Sequence, residues 1–240
     1  MKKLFILPFM LLSVSLFAQP WKSIKGDGNV KKETRQVGNF TSLSSHGSIE
    51  VKINYGNSNN IQIEADENLL PYIETTVENG QLNIKTKNKV NLKSQSKMIV
   101  YVSMSKIDGL MVSGSGNLDG KGEFTGDNTT EISLSGSGNI HLSSGTFKNL
   151  EFQISGSGNI NLKSGKADAI SASISGSGNI DCSNLSADNA DVKISGSGNV
   201  RITANKSLTT NIMGSGNVYY KGTATNISTK VAGSGKAIKI

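Results

Sequence analysis

Apolar and polar residues alternate through the second half of the chain, and the alternation itself recurs. Each copy is marked by a Gly-Ser-Gly whose first glycine falls at 114, 136, 156, 176, 196, 214 and 233, giving steps of 22, 20, 20, 20, 18 and 19 residues. Two residues before that glycine stand Val112, Leu134, Ile154, Ile174, Ile194 and Ile212, and four after it stand Leu118, Ile140, Ile160, Ile180, Val200 and Val218. Further apolar positions lie four before it (Ile132, Phe152, Ala172, Val192) and six after it (Leu142, Leu162, Cys182, Ile202), with polar residues between. A period of two inside each copy predicts strands. A period near 20 between copies predicts a solenoid, in which one copy cannot bury its apolar face until the next stacks on it.

A third, shorter element completes each copy, with Thr146–Leu150, Lys166–Ile170 and Ala187–Ala190 offering small or apolar residues before the next begins. Three short strands and three corners per copy describe a parallel β-helix, whose six or seven rungs at about 4.8 Å each make a prism roughly 30 Å long. The Gly-Ser-Gly-Asn corner is expected to need φ > 0 at one or two positions, which Gly takes freely and Asn takes better than most residues. Stacked in register, Asn117, Asn139, Asn159, Asn179, Asn199 and Asn217 can also hydrogen-bond amide to amide up the stack. Helical solenoids are excluded, because paired glycines every 20 residues and β-branched columns leave no segment for a packed helix.

The first half alternates in another style. Ser48–Asn54, Asn60–Ala65, Ile73–Val77, Gln81–Thr86 and Lys97–Ser103 read as strands separated by turn-formers such as Glu78-Asn79-Gly80, which predicts antiparallel hairpins. Leu69–Tyr72, holding Pro71, reads as a turn or corner. No linker separates this half from the repeats, so residues 19–112 are expected to cap the first rung of a β-helix spanning 113–240, the two forming one cooperative unit.

At the start of the chain, Lys2 and Lys3 precede an apolar run from Leu4 to Phe17, then Ala18 and Gln19-Pro20. This predicts a secretory signal over 1–18, too short for a membrane span, with no Cys behind it to carry a lipid anchor. Without Lys2 and Lys3, 23 Lys and Arg stand against 18 Asp and Glu, a net charge of about +5 with no block of like sign. That balance, with little aromatic content, argues against nucleic acid. The lone Cys182 gives no disulfide framework despite export, and its apolar column predicts a buried small hydrophobe.

The run Asp66-Glu67-Asn68-Leu69-Leu70-Pro71-Tyr72-Ile73-Glu74, then Asn79-Gly80-Gln81-Leu82 and Val100-Tyr101-Val102, leads into tandem Ser-Gly-Ser-Gly-Asn-Ile repeats. Together they resemble the bacterial family called the putative auto-transporter adhesin, head GIN domain, over roughly residues 37–220. The resemblance implies an all-β, right-handed parallel β-helix of pectin-lyase-like type, export to the cell envelope and a role in adhesion. It implies no catalytic residues.

The search for chemistry agrees. His46 and His141 have no ligand-spaced partner and read as surface histidines. A phosphate loop needs a helix after its glycines, and here a strand follows each time; calcium-binding β-rolls repeat at nine residues and place Asp where this chain has Asn. Outward columns five after the first glycine (Asp119, His141, Asn161, Asp181, Arg201, Tyr219) and five before it (Glu131, Glu151, Ser171, Asp191) are the places for a polysaccharide-cleaving site. Glu131 and Glu151 could sit one rung apart, but alternation already demands polar residues outside, and these columns change chemistry from rung to rung. No catalytic, cofactor or metal residue is assigned. The sequence reading is an exported, non-catalytic binding module, adhesin-like, at the cell surface or outer membrane or in the periplasm, meeting glycan or protein through weak multivalent contacts. A periplasmic scaffold or signalling component, and a polysaccharide lyase or hydrolase, are the alternatives.

Overall fold

The computed structural model describes residues 21–240; the expected signal segment over 1–18 and its cleavage point lie outside the described residues. The chain forms a β-solenoid of about seven turns with an antiparallel sheet at its N-terminal end. Alternation builds the rungs as the sequence predicts. Leu118, Ile140, Ile160, Ile180, Val200 and Val218 are successive parallel partners, as are Val112, Leu134, Ile154, Ile174, Ile194 and Ile212. All of these are buried. Each such side chain removed from water contributes about 1.5–3 kcal/mol, so the columns are the principal source of stability. The third side stacks too, with Phe147, Ala167, Ala187 and Ala204 in register.

The corner needs its two glycines for different reasons. Gly156 has φ +130, and a Cβ there would lie 2.3 Å from the Gly136 carbonyl oxygen of the rung before. Gly158 lies outside the positive-φ region, yet a Cβ would come within 2.1 Å of the Gly138 oxygen. Stacked corners thus sit too close for any side chain. The following Asn differs from the expectation, since none of the ladder asparagines has positive φ. Their contribution is the ladder: each Nδ2 donates to the Oδ1 of the rung before, at 2.8–3.0 Å from Asn139 to Asn199 and 3.3 Å at Asn217.

The N-terminal half combines two kinds of pairing. Val30–Gln36 with Asn60–Asp66, Asn60–Asp66 with Ile99–Ser103, and Ile73–Glu78 with Gln81–Thr86 are antiparallel, as expected for a cover. The strands nearest the rungs, however, join the stack in parallel. Ser42–Gly47 lies between Gly109–Gly114 and Gln81–Thr86, and Glu50–Asn54 lies between the start of Asn117–Gly136 and Ile99–Ser103. Gly47, with φ +88, occupies the same corner as Gly114, so Leu43-Ser-Ser-His-Gly-Ser-Ile49-Glu-Val51 is a degenerate copy of the repeat. The reading of Ser48–Asn54 as a hairpin strand missed this, because Ile49 stands where the repeat has its second glycine. The segment holding Pro71 is a 3-10 turn over Glu67–Tyr72.

One carboxylate is locked inside this half. Asp66 is fully buried, and its Oδ2 accepts from the Gln95 N–H at 2.8 Å and the Ser94 hydroxyl at 3.0 Å, while Oδ1 has no hydrogen-bond partner. Burial pushes this carboxyl up, but the donors of segment 94–96, the Gln95 N–H foremost, outweigh it and hold the pKa below the usual carboxylate value.

Candidate binding surface

Outward side chains stack as regularly as inward ones. The column five residues after the first glycine runs Asp119, His141, Asn161, Asp181, Arg201, Tyr219 in successive register, as the sequence predicts. The structure extends it in the other direction, because Lys52 pairs with Asp119 and Tyr101 pairs with Lys52. Sequence reading missed those two members once their strands were assigned to hairpins. The signal was present: Val51 and Ile53 stand four and six residues after Gly47, the spacing that marks every later rung.

This junction is concave. A groove of about 420 Å³ is lined by Tyr101, Lys52, Ile53 and Asn54 on the cap side and by Asp119, Gly120, Lys121, His141, Leu142, Ser143 and Lys163 on the rod side. Its lip is an irregularity that the 22-residue step announces. The pairing of Asn117–Gly136 with Asn139–Gly156 slips between Gly120 and Glu123 and again between Gly126 and Thr129, and the first of the two extra residues is taken up in the Lys121-Gly122 bulge. Ser143 clamps that bulge, its hydroxyl accepting from the Gly122 N–H at 2.8 Å and donating to the Gly122 carbonyl at 2.7 Å.

The groove's walls are held electrostatically. The Tyr101 hydroxyl donates to Glu64 Oε2 at 3.0 Å, and the ammonium groups of Lys32 and Lys52 each lie 5.4 Å from its ring centroid. Burial first, and then Glu64, raises the Tyr101 pKa, so the phenol stays protonated and remains a donor. Nearby, Lys97 donates to Glu50 at 2.8 Å; that bond and its charge, with a smaller contribution from Asp119, hold the Lys97 ammonium above its usual pKa. At the far end of the same column, the Arg201 guanidinium stacks 5.0 Å from the Tyr219 ring.

The other residues singled out from sequence fall as follows. Glu131 and Glu151 are register partners, one rung apart. Each accepts from its own strand, Glu131 from Ser133 at 2.7 Å and Glu151 from Gln153 at 2.9 Å, and the column continues as Ser171 and Asp191. A shallower depression of about 370 Å³ runs beside Glu151 and Asp191. His46 is exposed and shares a 3.0 Å hydrogen bond with Ser44, and His141 is exposed in the groove. Cys182 is fully buried in its apolar column, where desolvation pushes the thiol well above its usual range. Among the described residues, no three His, Cys, Asp or Glu side chains converge as a metal site would require.

Solved structures share this architecture. A putative adhesin from Bacteroides fragilis is 23% identical with a TM-score of 0.83, over 90% of this chain and 100% of that one. A putative adhesin from Parabacteroides merdae is 26% identical with a TM-score of 0.70, over 91% and 99%. A protein described as a putative lipid binding protein, from Parabacteroides distasonis, is 27% identical with a TM-score of 0.73, over 91% and 100%. No curated protein sequence matches the chain. The family model for the putative auto-transporter adhesin, head GIN domain, matches residues 39–224, from the degenerate first rung through the last full Gly-Ser-Gly-Asn corner, and the chain belongs to that family.

Proposed function

We propose that this chain is an exported, non-catalytic binding module of adhesin type, displayed at the bacterial cell surface. The observation that carries the reading is the family match over 39–224 on a rod whose outward polar columns are held in register. A surface of this kind presents polar groups at a fixed spacing near 4.8 Å from rung to rung, which favours multivalent contact over turnover at one centre. The description of the family, and that of its Parabacteroides merdae relative, point the same way. Among the described residues, no helix is long and apolar enough to cross a membrane.

Two measurements together test the reading. In intact cells the chain is expected to be cleaved by added protease, and a deletion strain is expected to attach less well to surfaces or host material. A chain protected from protease, in a strain whose attachment does not change on its loss, would point to a periplasmic role and away from the adhesin.

A further inference from the structure

The groove beside Tyr101 brings three lysines to one concavity. Lys52, Lys121 and Lys163 line it, and none has a carboxylate oxygen within the 4.0 Å of an ion pair among the described residues. They come from three different rungs, with His141 on the rung between Lys121 and Lys163, and Tyr101 closing the end. At about 4.8 Å per rung, the groove is long enough for several linked sugar rings. Its volume of about 420 Å³ is of the size that binds small ligands.

The mixture of groups narrows the ligand. Lysine ammonium groups only donate and attract anions, whereas the Asp119 carboxylate in the groove lining only accepts. A chain bearing a phosphate at every position would set a negative charge against Asp119. A saccharide with a carboxylate or sulfate on some of its carbons and free hydroxyls on others gives both kinds of group a partner. We propose that this groove binds a segment of acidic polysaccharide, its anionic groups on Lys52, Lys121 and Lys163 and its hydroxyls on Asp119 and Asn54. The proposal deepens the surface-binding reading by naming the ligand class, and it is tested on purified protein so that the two can fail separately.

The experiment is affinity electrophoresis of the chain through gels holding polygalacturonate, chondroitin sulfate, neutral dextran or polyphosphate. Polygalacturonate or chondroitin sulfate should retard the protein, and neutral dextran and polyphosphate should not. A Lys52→Gln/Lys121→Gln/Lys163→Gln variant should bind at least tenfold more weakly with an unchanged melting temperature, whereas Lys230→Gln/Lys236→Gln/Lys239→Gln on the last rung should bind as the wild type does. Asp119→Asn should admit polyphosphate while leaving polysaccharide binding in place. No retardation by either acidic polysaccharide, equal retardation by polyphosphate, or loss of binding in the last-rung variant instead of the groove variant would overturn the proposal. Failure here alongside a clear attachment defect in the deletion strain would leave the adhesin reading standing, with its contact elsewhere on the rod.

Discussion

Between Asn139 and Gly196 each rung repeats the one before it at a constant offset of 20 residues, and its core columns stay apolar throughout. Between Ser42 and Gly122 the same architecture is kept while its regularity is broken, by a corner without its second glycine, by strands stacked out of chain order and by a bulge at Lys121-Gly122. The depression beside Glu151 and Asp191, on the regular region, is the shallower. The deeper groove lies where the irregular region meets the regular one, lined by charged residues from separate strands. Repetition supplies the rigid rod, and departures from it create the concave site.

The largest expected effect breaks the regular region. Ile160 stacks between Ile140 and Ile180 and is buried, so Ile160→Asp places an unpaired carboxylate in the core. This should cost roughly 4 kcal/mol or more, read as a lowered denaturation midpoint. Next comes a pair of glycines that contrasts the two regions. Gly158→Ala drives a methyl against a backbone oxygen 2.1 Å away and should cost about 3 kcal/mol. Gly47→Ala meets nothing within 4 Å and carries only its positive-φ strain, about 1 kcal/mol. Equal losses at the two sites would mean that the corners are not stacked at these distances.

Asp66→Asn probes the cap by pH. Because the folded-state pKa lies below the usual carboxylate value, the ionised side chain stabilises the protein above the unfolded-state pKa, and that contribution is lost as pH falls through the folded-state value. The wild type should therefore exceed the variant by about 2 kcal/mol at neutral pH, with the gap closing in acid, as followed by urea titrations across pH. The smallest effect is a control on the outer face. Asn161→Asp should change stability by under ~0.5 kcal/mol, since that position is only half-buried in the outward column.

How much of this was legible in the sequence divides along the same line. The columns through Ile160 and the amide ladder could be read from one chain because the repeat restates them six times. The Asn residues were given one reason too many, since a short polar residue at a corner suggests positive φ, and only coordinates separate that from the ladder. The stacking of Lys52 on Asp119 could have been found from the spacing after Gly47, but the place of Tyr101 beyond Lys52 was not legible, because strands 81–86 and 99–103 stack outside strands that precede them in the chain, and local alternation carries no information about such order. The groove depends on that order. Its lysines, Lys52, Lys121 and Lys163, form no block of like charge along the chain, and only the stacking of rungs brings them together.

The central claim, that the first half continues the rod's register and so builds the groove, is tested most directly by an engineered cross-link. Lys52 and Asp119 are register partners on adjacent parallel strands, at a spacing near 4.8 Å that a disulfide can span. In a Cys182→Ser background, Lys52→Cys/Asp119→Cys should oxidise nearly completely under mild conditions in the folded protein, seen as faster migration on non-reducing gels, while Lys52→Cys/Asn161→Cys should not. Failure of the first pair to close in a protein that remains folded would contradict the account.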